Sequence, residues 1–125
     1  MKKKKNIFSL YFNKLKDIKE IHFPKPIKNN TPNYWTVCVF VNIHKKKLKD
    51  FLEHKNIQIR DNFFPINLQP ALKFGGYLKN GNDNFKNSIK IYKNTIILPS
   101  NCNLKVSEIE YICEQIKTFY SKKIL

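Results

Sequence analysis

The eight-residue run Tyr34-Trp-Thr-Val-Cys-Val-Phe-Val41 constrains the fold of this chain more than any other segment. β-branched and aromatic residues fill it, and Thr36 is its most polar member. Successive side chains of a strand point to opposite faces, so a run that is apolar almost throughout is apolar on both. Such a strand belongs inside a sheet with cover on both sides. The chain must then supply flanking strands, and helices to lie over them. Thr95 to Leu98, stopped by Pro99, reads as a second buried strand. Ile57 and Ile59, alternating with Gln58 and Arg60, read as a short third strand that delivers Arg60 to its end.

Helical periodicity accounts for much of the rest. Ile7, Leu10, Tyr11, Leu15 and Ile18 recur at helical spacing, with lysines on the other face. Lys2 to Lys5 crowd the positive end of that helix's dipole and no capping residue precedes them, so it looks entered part-way rather than begun. Pro24, Pro26 and Pro32, with Asn29 and Asn30, make 22–33 a connector. Lys45 to His54 follows as a short amphipathic helix with Leu48, Phe51 and Leu52 apolar. Phe74-Gly75-Gly76-Tyr77 reads as a turn, and Asn82 to Asn84 can cap a helix running to about Tyr92. The last helix, about Val106 to Tyr120, aligns Ile109, Ile112, Cys113, Ile116 and Phe119. Its Glu108 and Glu110 lie in the first turn and its lysines near the end, as the dipole favours. The expected fold is α+β: a small sheet of about three strands packed with helices, preceded by a connecting helix.

At 125 residues, 42% of them hydrophobic, the chain is sized for one domain with a core. No apolar run approaches the roughly 20 residues that span a bilayer. Met1 to Lys5 is followed by a segment broken at Asn13, Lys14 and Lys16, which does not make a signal peptide. The reading is a cytoplasmic protein with no membrane partner. Cys38, Cys102 and Cys113 form no C-x-x-C pattern, and Cys38 and Cys113 read as small buried hydrophobes. Neither they nor His22, His44 and His54 show metal-ligand spacing, so no metal site is expected. The formal charge of +15 would favour anionic polymers, yet the lysines are spread over every exposed face. With 16 Asn and 16 Ile beside them, they point to a codon-level bias toward A and T. A small basic nucleic-acid-binding or interaction protein is thus the alternative reading and not the leading one.

Arg60 is the one arginine among 24 basic residues, and it precedes the rigid run Phe63-Phe64-Pro65. A guanidinium offers a planar, five-donor fork suited to carboxylate or phosphate. The plainer reading is a surface arginine beside a packing loop, in a structural ion pair with Asp61 or with a carboxylate elsewhere. Asn67 and Gln69, set two apart, are a polar pair in the same loop. The double Phe, the prolines and Leu68-Gln69-Pro70 make 57–70 the most distinctive stretch of the chain.

That stretch resembles the C-terminal small domain of the DegT/DnrJ/StrS sugar-nucleotide aminotransferases, which are fold type I pyridoxal-phosphate (PLP) enzymes. The family shows a Gly-Ile-x-Thr-Arg segment, an aromatic-Pro pair and His-x-Gln-Pro. Arg60, Phe63, Phe64, Pro65, Leu68, Gln69 and Pro70 stand at the matching positions. The flanks agree: Tyr34-Trp35, Phe51-Leu52, Ile97-Leu98-Pro99, Glu108 to Tyr111, and Tyr11 with Leu15 in the opening helix. The resemblance covers about residues 3 to 123, and the Tyr-Trp strand and double Phe look most like the perosamine-synthase branch. Two positions depart from it: Asn67 replaces the His, and Asp61 the Pro that usually follows the Arg.

The resemblance implies a division into 1–22, a connecting helix, and 23–125, the small domain. It implies amino transfer from glutamate to a keto-sugar nucleotide, in polysaccharide or lipopolysaccharide biosynthesis, by a homodimer. PLP, its Schiff-base lysine and its phosphate cradle lie in the family's large N-terminal domain, which 125 residues cannot also hold. The chain alone is therefore expected to bind no PLP and to perform no transfer, with the large domain supplied in trans or absent. The connecting-helix face of Ile7, Leu10 and Tyr11 would then be exposed, an orphan interface prone to association. Arg60 would face a substrate anion. Asn67 and Gln69 would bond sugar hydroxyls or fix their own loop, and Trp35 and Phe64 would stack on sugar or belong to the core.

Overall fold

The structure, a computed structural model, describes residues 2–42, 44–75 and 85–121. Asn82 to Asn84, Gly76-Tyr77 of the expected turn and the basic Lys122 and Lys123 lie outside the described residues. In chain order the elements are α1 (Lys2–Leu15), β1 (Ile21–His22), β2 (Val37–Val41), α2 (Lys45–Glu53) and β3 (Arg60–Asp61). A 3-10 turn (Ile66–Leu68), α3 (Pro70–Phe74), α4 (Lys86–Asn94), β4 (Thr95–Leu98) and α5 (Val106–Ser121) complete the set. The strands form one antiparallel sheet in the order β1-β2-β4-β3. The α+β reading holds, with a short additional strand, Ile21–His22, paired to Val41 and Phe40. Two residues between a helix end and a proline-rich connector carry no strand periodicity, so the sequence could not announce it.

The apolar run is the interior strand, but its two faces are not equal. Val37, Val39 and Val41 are buried, whereas Cys38 and Phe40 are half-buried on the side that faces α4. Cover is therefore complete on one face only, and Cys38 is not a fully buried hydrophobe. β2 pairs with all of β4, from Val37 opposite Leu98 to Phe40 opposite Thr95.

Ile7, Tyr11 and Leu15 of α1 join Ile109, Ile112, Cys113, Ile116 and Phe119 of α5 in one core cluster with the sheet valines and with Leu48 and Leu52 of α2. The α1 face expected to be orphaned is thus corrected: Ile7 and Tyr11 are buried and Leu10 packs against the core. Helical spacing identified the stripe, but only the fold shows that α5 lies on it. Three polar links hold α1 in place. The Tyr11 hydroxyl, with its residue fully buried, donates to the Pro99 carbonyl at 2.8 Å. Lys14 pairs with Glu110 of α5 at 2.9 Å. Lys4 Nζ donates to the carbonyls of Trp35 and Ser100. Outside the core, Phe8 and Phe12 of α1 grip Phe23 edge-on at 5.7 and 5.4 Å, and Phe8 meets Tyr34 at 4.9 Å. That cluster fastens both ends of the connector to α1.

α5 opens with half of a capping box, Glu108 accepting from the Lys105 backbone N–H at 2.7 Å. Glu110 lies beyond the first turn and pairs with α1 instead. At the close of α2, Asn56 takes a left-handed conformation (φ 58°). The Ile57 N–H bonds back to the Leu52 carbonyl at 2.9 Å, and the Asn56 N–H to Glu53. This is the bond pair of a Schellman stop, with Asn supplying the positive φ that glycine usually provides. It turns the chain sharply into the Ile57–Arg60 segment.

Two outcomes test this packing. Phe119→Ala, which removes a fully buried ring that meets Phe51 at 5.5 Å, should lower unfolding free energy by about 3 to 5 kcal/mol in urea titration. Tyr11→Phe, which leaves the Pro99 carbonyl without its donor, should cost about 1 to 2 kcal/mol in the same measurement.

Candidate functional site

Arg60 reaches its position through the alternation upstream of it. Ile57 and Ile59 are buried, so Gln58 and Arg60 point the other way, to solvent. Arg60 opens β3 rather than ending a strand, and pairs with Ile97 of β4. Asp61 does not pair with it. Its carboxylate is taken by two lysines of α2, Lys45 at 2.9 Å and Lys49. The Lys49 hydrogen bond, followed by that of Lys45, holds the Asp61 carboxyl below its ordinary range. The plainer reading of Arg60 is therefore corrected. Among the described residues Arg60 makes no salt bridge, because α2 lies close enough to claim the neighbouring acid.

Arg60 lines an open cleft of about 560 Å³ at the edge of the sheet. Trp35, Phe63, Gln58, Lys4 and Asn101 line it as well. Trp35 is 62% exposed and Phe63 66% exposed, and their rings stack at 5.9 Å with an 18° tilt. The core reading of Trp35 is thereby corrected: it precedes β2 by two residues and its ring projects into the cleft mouth. Tyr34, at φ 54°, takes the left-handed region, an uncommon conformation for a residue with a bulky side chain, and so turns the chain between the connector and Trp35.

The other three sequence candidates lie elsewhere. Phe64 is exposed and not core, but its ring meets Tyr92 of α4 edge-on at 5.2 Å, and it does not line the cleft with Trp35. Asn67 sits half-buried in the 3-10 turn, and the exposed Gln69 precedes α3, donating its backbone N–H to Ile66. Neither lines the cleft with Arg60. The structure brings together Arg60 and Trp35 and leaves Phe64, Asn67 and Gln69 outside. Sequence reasoning missed Lys4, Gln58, Phe63 and Asn101. Phe63 carried a signal, being the other half of the double Phe. Lys4 is one of four adjacent lysines and carried none.

Asn62 was also missed. Its amide donates to Thr95 Oγ1 at 2.9 Å and its carbonyl oxygen accepts from the Phe63 N–H at 2.8 Å. It thus ties the turn carrying both phenylalanines to the start of β4.

The described residues offer PLP no unengaged half-buried lysine. The four half-buried lysines among those described are engaged: Lys4 with backbone carbonyls, Lys14 with Glu110, and Lys45 and Lys49 with Asp61. No group of three or more metal-ligating side chains occurs among the described residues. No helix there is long and apolar enough to cross a membrane. The cleft can recognise an anion and a flat ring.

Two measurements check this arrangement. Trp35 is the sole tryptophan, so emission should be solvent-shifted and readily quenched by iodide; a blue, iodide-protected spectrum would contradict its placement. Asp61 titrates below its ordinary value of 3.8, so its ion pairs add stability above that pH and lose it as pH falls further. Asp61→Asn should remove that acid-range loss, a difference of about 1 kcal/mol or less because the carboxylate is partly exposed and screened.

The chain matches the family model of the DegT/DnrJ/EryC1/StrS aminotransferase family over residues 1–117. No curated protein matches. Among solved structures, DesV of S. venezuelae, determined in complex with a ketimine intermediate, superposes with a TM-score of 0.82 at 14% identity, over 94% of this chain and 31% of that one. The aminotransferase TlmJ of Streptoalloteichus hindustanus gives 0.82 at 16%, over 99% and 32%. Helicobacter pylori PseC, an aminotransferase involved in the biosynthesis of pseudoaminic acid, gives 0.74 at 18%, over 97% and 33%. At such identities the superpositions establish the fold, and the chain spans about a third of the length of these enzymes. With 1–117 of its 125 residues matched by the family model, this chain belongs to the DegT/DnrJ/EryC1/StrS aminotransferase family.

Proposed function

We propose that this chain forms one wall of the substrate site in a PLP-dependent aminotransferase that moves an amino group from glutamate to a keto-sugar nucleotide. Residues 1–22 act as the connecting helix and 23–125 as the small domain. A PLP-binding large domain completes the site, and the complete enzyme works as a cytoplasmic homodimer. Bound in that large domain, PLP would supply the electron sink for amino transfer. The single observation that carries the reading is Arg60. It is the chain's one guanidinium, is held on a strand edge in a cleft, and makes no salt bridge among the described residues while Asp61 binds two lysines.

In this reading the chain binds and orients. Arg60 offers its donor fork to a substrate anion, and the sheet edge beneath it fixes the direction of that fork. Asn67 and Gln69 face the same ligand from the loop only if the large domain extends the site past Phe64. Otherwise they hold the loop.

The test is reconstitution with a PLP-binding large domain of the family, followed by amino transfer to a keto-sugar nucleotide. Arg60→Gln should lower kcat/KM by roughly tenfold or more, the loss expected for a charge-assisted hydrogen bond. Arg60→Lys should recover only part, since an ammonium cannot reproduce the fork. Turnover by the 125-residue chain alone, or indifference to Arg60, would refute the proposal.

A further inference from the structure

The strand that carries Arg60 is too short to hold itself. β3 is two residues long, both are exposed, and it pairs with β4 on one side only. Strands held by their own ladder commonly run to about five or six residues. The support comes instead from the residues that follow Arg60, and in each case it leads to the last turn of α4.

Asp61 accepts from Lys45 Nζ at 2.9 Å, and the same ammonium donates to the Tyr92 carbonyl at 2.9 Å. It also lies 5.4 Å from the centre of the Tyr92 ring. Asn62 donates to Thr95 Oγ1 at 2.9 Å, and the Thr95 hydroxyl donates in turn to the Ile91 carbonyl. Thr95 is 2% exposed, so this link is shielded from water. Two consecutive residues are thus tied, each through one side chain, to two consecutive carbonyls. Helix ends offer such acceptors because the carbonyls of a last turn have spare capacity. Phe64 adds a third contact, its ring edge-on to Tyr92 at 5.2 Å. Phe63 alone is directed elsewhere: Asn62 holds its N–H at 2.8 Å, and its ring lies on Trp35 at 5.9 Å. No side chain of α4 is fully buried, so these links hold the helix as well as the strand. The two form one body.

We propose that Asn62 and Lys45 are positioning residues for Arg60, locking its strand to the last turn of α4 and so setting the direction in which the guanidinium meets a substrate anion. The proposal rests on the substrate-wall reading above and adds the residues that aim the wall. A fork held in place meets its anion without first giving up backbone freedom, and that is the gain from orientation. Neither Asn62 nor Lys45 lines the cleft, so their loss acts through Arg60.

Two readouts test this. In the 125-residue chain, Asn62→Leu and Lys45→Met should each speed amide exchange at 60–64 roughly tenfold, the effect of one lost hydrogen bond, while α5 (Val106–Ser121) is unchanged. Asn62→Leu should also flatten the near-ultraviolet dichroism of Trp35, the sole tryptophan, with the far-ultraviolet spectrum kept. Thr95→Val, which breaks the same link without changing side-chain shape, repeats the test should Asn62→Leu not fold. In the enzyme reconstituted with a PLP-binding large domain, each variant should raise KM for a keto-sugar nucleotide about fivefold with kcat within twofold. Lys45→Arg should restore it, and neither loss should add to that of Arg60→Gln. Exchange unchanged at 60–64, exchange raised equally in α5, or additive losses on the Arg60→Gln background would each overturn the proposal. If Arg60→Gln lowers kcat/KM while Asn62→Leu and Lys45→Met leave KM alone, this inference fails and the substrate-wall reading stands. A silent Arg60→Gln removes both.

Discussion

The β2–β4 ladder is the constraint on which the rest of the structure depends. Four residue pairs join the most apolar run in the chain to the strand after α4. Once they form, β4 has one free edge, and β3 occupies it through Arg60 and Asp61. The same ladder sets Pro99 at the mouth of the cleft, where the Tyr11 hydroxyl meets its carbonyl. Core, connecting helix and cleft are thus mutually dependent. Cleft residues from 4, 35, 58–63 and 101 are remote in sequence and meet only because the two strands pair.

Much of this was legible in the residues. Period-two burial at Ile57 and Ile59 and the 3.6-residue stripe of α5 both follow from burial of apolar area, which sequence reports directly. The faces of Trp35 and Phe64 were not legible, since an aromatic beside a strand reads as core whichever way it points. Nor was the partner of Asp61. Its nearest cation in sequence is Arg60, but its partners come from a helix 12 and 16 residues upstream, delivered by the Asn56 turn. Neighbour arguments overweight sequence proximity in just this way.

Charge divides the molecule into working and background parts. Most of the +15 is borne by exposed lysines on several helices and loops, a pattern that creates a field but no site. The half-buried lysines have structural partners: Lys14 joins two helices, and Lys45 and Lys49 hold β3 to α2. By securing Asp61, α2 leaves Arg60 as a cation beside an aromatic platform. The family membership then places that cation in the context of an aminotransferase family.

The central claim is that the Arg60 edge faces substrate in the assembled enzyme. Hydrogen–deuterium exchange on this chain, reconstituted with a PLP-binding large domain and compared with and without keto-sugar nucleotide, tests it most directly. The account predicts added protection in 60–64 and 99–101, with α2 (Lys45–Glu53) unchanged. Protection confined to α2 and α4, or no difference at 60–64, would contradict it.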